Sequence, residues 1–113
     1  MRKVLIFAAI GEFATGVAVL IAPLIVARLL LGQDLTRAAV LIARVTGIAL
    51  VALAIACWPG PPVVGMLTYS AGVTLCLGYA GYAADVTGVL LWPAVSMHGI
   101  LTAVLIWAFA RRA

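Results

Sequence analysis

Few residues in this chain can do chemistry, and most of them interrupt apolar runs. Glu12 stands inside FAAIGEFATGVAVL, residues 7–20, and Arg44 inside a second apolar run that ends at CWPGPP. His98 follows Pro93 by five residues, with Ser96 and Thr102 beside it. An ionisable group in a membrane span costs about 2.5–3.5 kcal/mol at the centre, so each of these demands a partner or a wet cavity. At helical rise, Glu12 lies about 12 Å from one edge of the apolar zone and Arg44 about 9 Å from the other. In a hydrocarbon core about 30 Å thick, their backbones differ in depth by about 9 Å. Two long side chains close most of that gap, so a Glu12–Arg44 pair is expected, with Thr15 or Thr46 adding a hydrogen bond. Tyr79 and His98 fall near the level of Arg44. The expectation is therefore an intramembrane polar cluster of Glu12, Arg44, Tyr79 and His98, either locking helix register or carrying protons or a ligand. Arg44 also shares a face with Arg37 one heptad earlier, so its guanidinium has an outward, watered route as the alternative.

Other chemistries find no residues. Ser70 and Ser96 lack a G-x-S-x-G setting, and no aspartate sits at matching depth beside His98. There is no glycine-rich phosphate loop and no P-loop lysine. A single histidine without a Cys/His cluster is a poor metal or haem ligand set. Cys57 and Cys76 form no C-x-x-C pair and read as buried thiols acting as small hydrophobes. No catalytic residue, metal or cofactor is expected.

The elements that must position these groups follow from composition. Hydrophobic residues make up 67% of the 113-residue chain and charged residues 9%, where a soluble domain carries about a quarter charged. The fold class is all-α: one integral-membrane domain of four transmembrane helices joined by short loops, in contact with the lipid bilayer. The spans cover about 4–22, 38–58, 62–84 and 88–110. A straight helix from Val4 to Leu31 would run about 42 Å, too long for the core. Pro23 is therefore expected to bend it, leaving 23–33 oblique or interfacial with Arg28 snorkelling. Asp34 is expected to cap the second span from Leu35. Pro61 and Pro62 open the third span, and Pro93 starts or kinks the fourth. The opening MRKVLIFAAIG reads as a retained span rather than a cleaved signal.

Helices in lipid associate through small residues and polar contacts. The first span offers a seam of Ala8, Gly11, Thr15, Ala18 and Ala22; the others offer Ala39, Ala43 and Gly47, then Gly65 and Gly72, then Gly99 and Ala103. Gly11, Thr15, Ala43, Gly47, Gly72 and Gly99 are the expected packing positions. The net charge of +4 comes largely from the chain ends, with Arg2, Lys3, Arg111 and Arg112 on one side against Arg28 and Arg37 on the other. That is juxtamembrane anchoring, not a nucleic-acid surface, and it places both termini in the cytoplasm.

The strings GEFATGVAVLIAP, ARVTGIALVALAIACWPG, MLTYSAGVTLCLGY and LLWPAVSMHG resemble those of small, uncharacterised four-span bacterial membrane proteins. The resemblance spans nearly the whole chain and implies a bacterial inner-membrane protein. A weaker likeness is to the small multidrug resistance transporters, four-span proteins with one membrane-embedded glutamate that exchanges protons for cationic substrate. Glu12 alone matches. The flanking GEF departs from that family's pattern, and Arg44 would hold the carboxylate ionised and occupy a cation's place. The functional expectation is a non-enzymatic membrane protein, a homo-oligomer or accessory subunit of a larger membrane complex. Alternatives are a proton-coupled transporter using Glu12 and a binder or enzyme for a lipid-soluble ligand.

Overall fold

The computed structural model describes residues 2–83 and 88–112. Among these there are five helices: α1 Arg2–Ile21, α2 Pro23–Leu31, α3 Arg37–Cys57, α4 Val63–Tyr82 and α5 Leu91–Arg112. Backbone amides cannot be left unpaired in hydrocarbon, so apolar runs this long close their hydrogen bonds within helices. Four of the five (α1, α3, α4 and α5) are long and apolar enough to cross a membrane. The chain is an all-α, membrane-spanning protein. The expected end of the third span at Ala84, together with Asp85 and Thr87, lies outside the described residues.

Proline sets the breaks. Ala22, the residue before Pro23, leaves helical geometry at φ −132° and ψ 62°, which divides α1 from α2. Gly32 ends α2 in the left-handed conformation at φ 69° and donates its N–H to the Arg28 carbonyl. The cap of α3 corrects the sequence expectation. Thr36, not Asp34, accepts from the Ala39 amide, and the helix begins at Arg37. Asp34 pairs instead with Arg28 at 2.8 Å, which removes its carboxylate from the helix terminus. Pro93 lies in the first turn of α5, where a missing N–H costs no intrahelical bond, so it starts the helix and does not kink it.

The bundle is open. α1 packs on α3, α3 on α4 and α4 on α5, while α2 touches α1 and α3. No described residue of α1 packs against α4 or α5. The extents are 42 × 33 × 16 Å, and the shortest is little more than the thickness of a single helix with its side chains. The four long helices form a row, with α1 and α5 as its edges. Antiparallel order puts the start of α1 and the end of α5 at one end of the row, and the starts of α3 and α5 at the other.

Close approach between helices rests on glycine at three places. A Cβ on Gly16 would lie 2.8 Å from the Gly47 carbonyl oxygen, and one on Gly47 would lie 2.8 Å from both the Gly16 oxygen and the Leu20 nitrogen. A Cβ on Gly65 would come within 2.8 Å of the Ala52 oxygen. Backbone meets backbone there, as lipid-embedded helix packing favours. Gly47 and Gly72 pack as expected, Gly72 against Ile48; Gly99 faces Thr74 at ordinary contact distance, and Ala43 is half-buried. The α1 seam is corrected. Ala9 and Gly16 are buried against α3, whereas Ala8, Gly11, Thr15 and Ala18 are exposed, and the Thr15 hydroxyl donates to the Gly11 carbonyl of its own helix. Both faces of α1 carry small residues, so composition alone does not select between them.

Candidate functional site

The polar residues of the spans do not converge on one point. Arg44 is half-buried on α3, and its Nη1 donates a 2.7 Å hydrogen bond to the Leu20 carbonyl near the end of α1. The cause lies three residues downstream in α1's own chain. Pro23 has no N–H, and the break at Ala22 keeps the Leu24 amide from continuing the ladder. The Leu20 carbonyl is thereby left without a helical donor inside an apolar region. Arg44, one turn before the Gly16–Gly47 crossing, reaches it across the helix interface.

This replaces the expected Glu12–Arg44 pair. Glu12 lies one turn on the other side of the same crossing, so the two residues are separated along the axis by roughly 10 Å. Arg44 points away from it, toward the freed carbonyl. Glu12 is half-buried on the α1 face that also carries Ala9 and Gly16, and among the described residues it has no hydrogen-bond or ionic partner. The Thr46 hydroxyl serves the Ile42 carbonyl of its own helix and does not turn to Glu12.

His98 is likewise elsewhere. Its Nδ1 lies 2.9 Å from the Ala94 carbonyl one turn earlier, and a carbonyl can only accept, so Nδ1 carries the proton. The ring stands edge-on to Tyr69, at 6.0 Å between centroids. Thr102 donates to the His98 carbonyl at 2.6 Å. These contacts bind His98 within α5 and to α4. Tyr69, which sequence reasoning did not single out, is the partner that the i to i+10 step from Tyr79 concealed.

Arg44 and Tyr79 do share a site. They line a cavity of about 660 Å³ between the end of α1, the first half of α3 and the second half of α4. Its walls include Arg37, Leu41, Ile48, Leu75 and Cys76, and among the described residues no acidic side chain lines it. Such a volume falls in the range of small-molecule sites. On its other side Arg44 borders a smaller cavity of about 270 Å³ formed by the Pro23 break, including Ala22 and Leu24. A third, wholly apolar cavity of about 360 Å³ lies at the opposite end between α1 and α3, against Phe13, Ile55 and Trp58. Glu12 and His98 line none of the three. Among the described residues no group of three or more His, Cys, Asp or Glu side chains could hold a metal. The arrangement presents two guanidinium groups, Arg37 and Arg44, in an otherwise apolar groove, and among the described residues its lining pairs no nucleophile with a base.

No family model, no curated protein and no solved structure matches the chain.

Proposed function

We propose that the chain is a non-catalytic subunit of a homo-oligomer in the bacterial inner membrane, with both termini in the cytoplasm and α1 as the joining helix. The observation that carries this reading is the exposed seam of Ala8, Gly11, Thr15 and Ala18 on an edge helix. A Cβ on Gly11 would meet nothing within 4 Å. In lipid, small residues at three- and four-residue steps gain their energy by letting a second helix come close. No described helix of the protomer packs on the seam. The charge asymmetry between the two ends supports the orientation, with Arg2, Lys3 and Arg111 at the termini.

The test follows from the open space around Gly11. Gly11→Leu is expected to leave helix content and unfolding of the protomer intact while abolishing assembly. Native mass spectrometry from nanodiscs reads the change as multiples of the 11.7 kDa protomer reduced to one. A Gly11→Leu variant that assembles like the parent, or a parent that is monomeric at every loading, would end this reading.

A further inference from the structure

We propose that the groove between α1, α3 and α4 is a binding site for an anionic phospholipid, its headgroup phosphate on Arg44 and an acyl chain along Ile48, Gly72 and Leu75. The inference does not depend on assembly, because every residue of the groove belongs to one protomer.

The polarity of the groove runs in one direction. Arg37 stands at the mouth, where α3 begins; Arg44 is seven residues deeper, and Ile48 and Gly72 close the inner end. From Arg37 to Ile48 is about 16 Å at helical rise. The Arg44 guanidinium therefore lies nearer the membrane edge and the apolar end at Ile48 and Gly72 nearer its middle, the order of an anionic amphiphile. Arg37 already has an interaction of its own and is not counted in the site.

Arg44 is incompletely satisfied. A guanidinium has five N–H donors in a fixed fork. One is on the Leu20 carbonyl, and among the described residues Arg44 makes no other hydrogen bond. With no carboxylate in the lining among the described residues, its charge has no counter-ion there. A phosphate accepts from the fork and neutralises it. The groove also opens sideways: Leu75 is 73% and Tyr79 is 74% exposed along its rim, so a lipid enters from the bilayer without the helices parting. The Tyr79 phenol stands at that rim as a further donor to a headgroup oxygen.

Two native cysteines supply the readout. Cys76 lines the groove, and Cys57 lies at the other end of the row, at the end of α3. The full chain is placed in nanodiscs of phosphatidylcholine with or without an equal share of phosphatidylglycerol. Retained lipid is counted by native mass spectrometry, and alkylation of each cysteine by N-ethylmaleimide is timed. Phosphatidylglycerol is expected to be retained about tenfold over phosphatidylcholine: both carry the phosphodiester, but the quaternary ammonium of phosphatidylcholine cancels the net charge that phosphatidylglycerol offers Arg44. It should slow alkylation of Cys76 and not of Cys57. Arg44→Gln should bring the two lipids to parity. Leu75→Trp fills the groove without touching the Arg44–Leu20 bond, and it should lower retention even if Arg44→Gln does not fold. Equal retention of both lipids by the parent chain would overturn the proposal, as would an unchanged preference in folded Arg44→Gln or in Leu75→Trp. Protection of Cys76 by inorganic phosphate alone as strong as that by phosphatidylglycerol would also overturn it, since the ligand would then be a soluble anion.

Discussion

At the scale of single residues, the chain spends its one deep arginine on a backbone carbonyl. The backbone break at Ala22, before Pro23, keeps the Leu24 amide from the Leu20 oxygen, and the Arg44 guanidinium closes it at 2.7 Å. An unmade hydrogen bond to a buried acceptor costs about 1–3 kcal/mol. Arg44→Ala should therefore destabilise the fold by about that amount, measured by SDS or chemical unfolding in mixed micelles. Glu12→Gln removes a half-buried carboxylate that has no partner among the described residues, so the same protomer transition should hold or rise by about 1 kcal/mol. The double variant should be additive, because the residues share no contact. A coupling energy above about 1 kcal/mol would restore the ion pair that the sequence suggests. Ser70 gives the opposite case. It is fully buried on α4, and its hydroxyl has no hydrogen-bond partner among the described residues. Ser70→Ala removes an unpaired polar group at nearly constant shape, so stability should hold or rise by about 1 kcal/mol in the same assay.

At the scale of helices, two glycines on α1 are five residues apart and have contrary surroundings. A Cβ on Gly16 meets the Gly47 oxygen at 2.8 Å and the Val51 nitrogen at 2.9 Å, backbone atoms that cannot turn aside. Gly16→Ala should cost about 1–3 kcal/mol by overpacking. Gly11→Ala, in open space, should gain up to about 1 kcal/mol of helix propensity within the protomer. Thermal unfolding of the two variants side by side checks the pair, and equal losses would contradict the packing of α1 on α3. The same contrast shows what sequence can and cannot reveal in lipid. Helix number and boundaries were legible because Pro23, Gly32, Pro61, Pro62 and Pro93 punctuate long apolar runs. The packing face of α1 was not, because lipid and protein interior are equally apolar and no polar side marks the outside. The two small-residue seams, Ala8–Gly11–Thr15 and Ala9–Gly16, are offset by a single residue or so on the helix. That Arg44 and Tyr79 lie near one level was legible, and they line one groove. The Leu20 carbonyl was not, since a backbone oxygen has no letter; the available signal was the proline three residues on.

At the scale of the whole molecule, the decisive property is that the helices stand in a row. A closed four-helix bundle gives each helix two neighbours and a shared core, so a local defect spreads to all. Here α5 is held by α4 alone among the described helices, and α1 at the far edge by α3 and the short α2. With helix axes about 8–10 Å apart, the two edges are separated by roughly 25 Å. A row of nearest-neighbour contacts behaves like a repeat array, in which stability is a sum of local terms. Gly81 tests this at one edge. A Cβ there would lie 2.8 Å from the Leu91 side chain and 2.9 Å from the Trp92 ring, so Gly81→Leu displaces both side chains and weakens the contact of α5 with α4. Hydrogen–deuterium exchange should then show faster opening of the α5 amides, with those of α1 and α3 unchanged, because sub-global opening follows contact and not sequence order. Gly16→Ala should do the reverse, loosening α1 and leaving α5 at its original rate. Exchange that quickens throughout the chain in either variant would mean that the edges are coupled, as they are in a closed bundle.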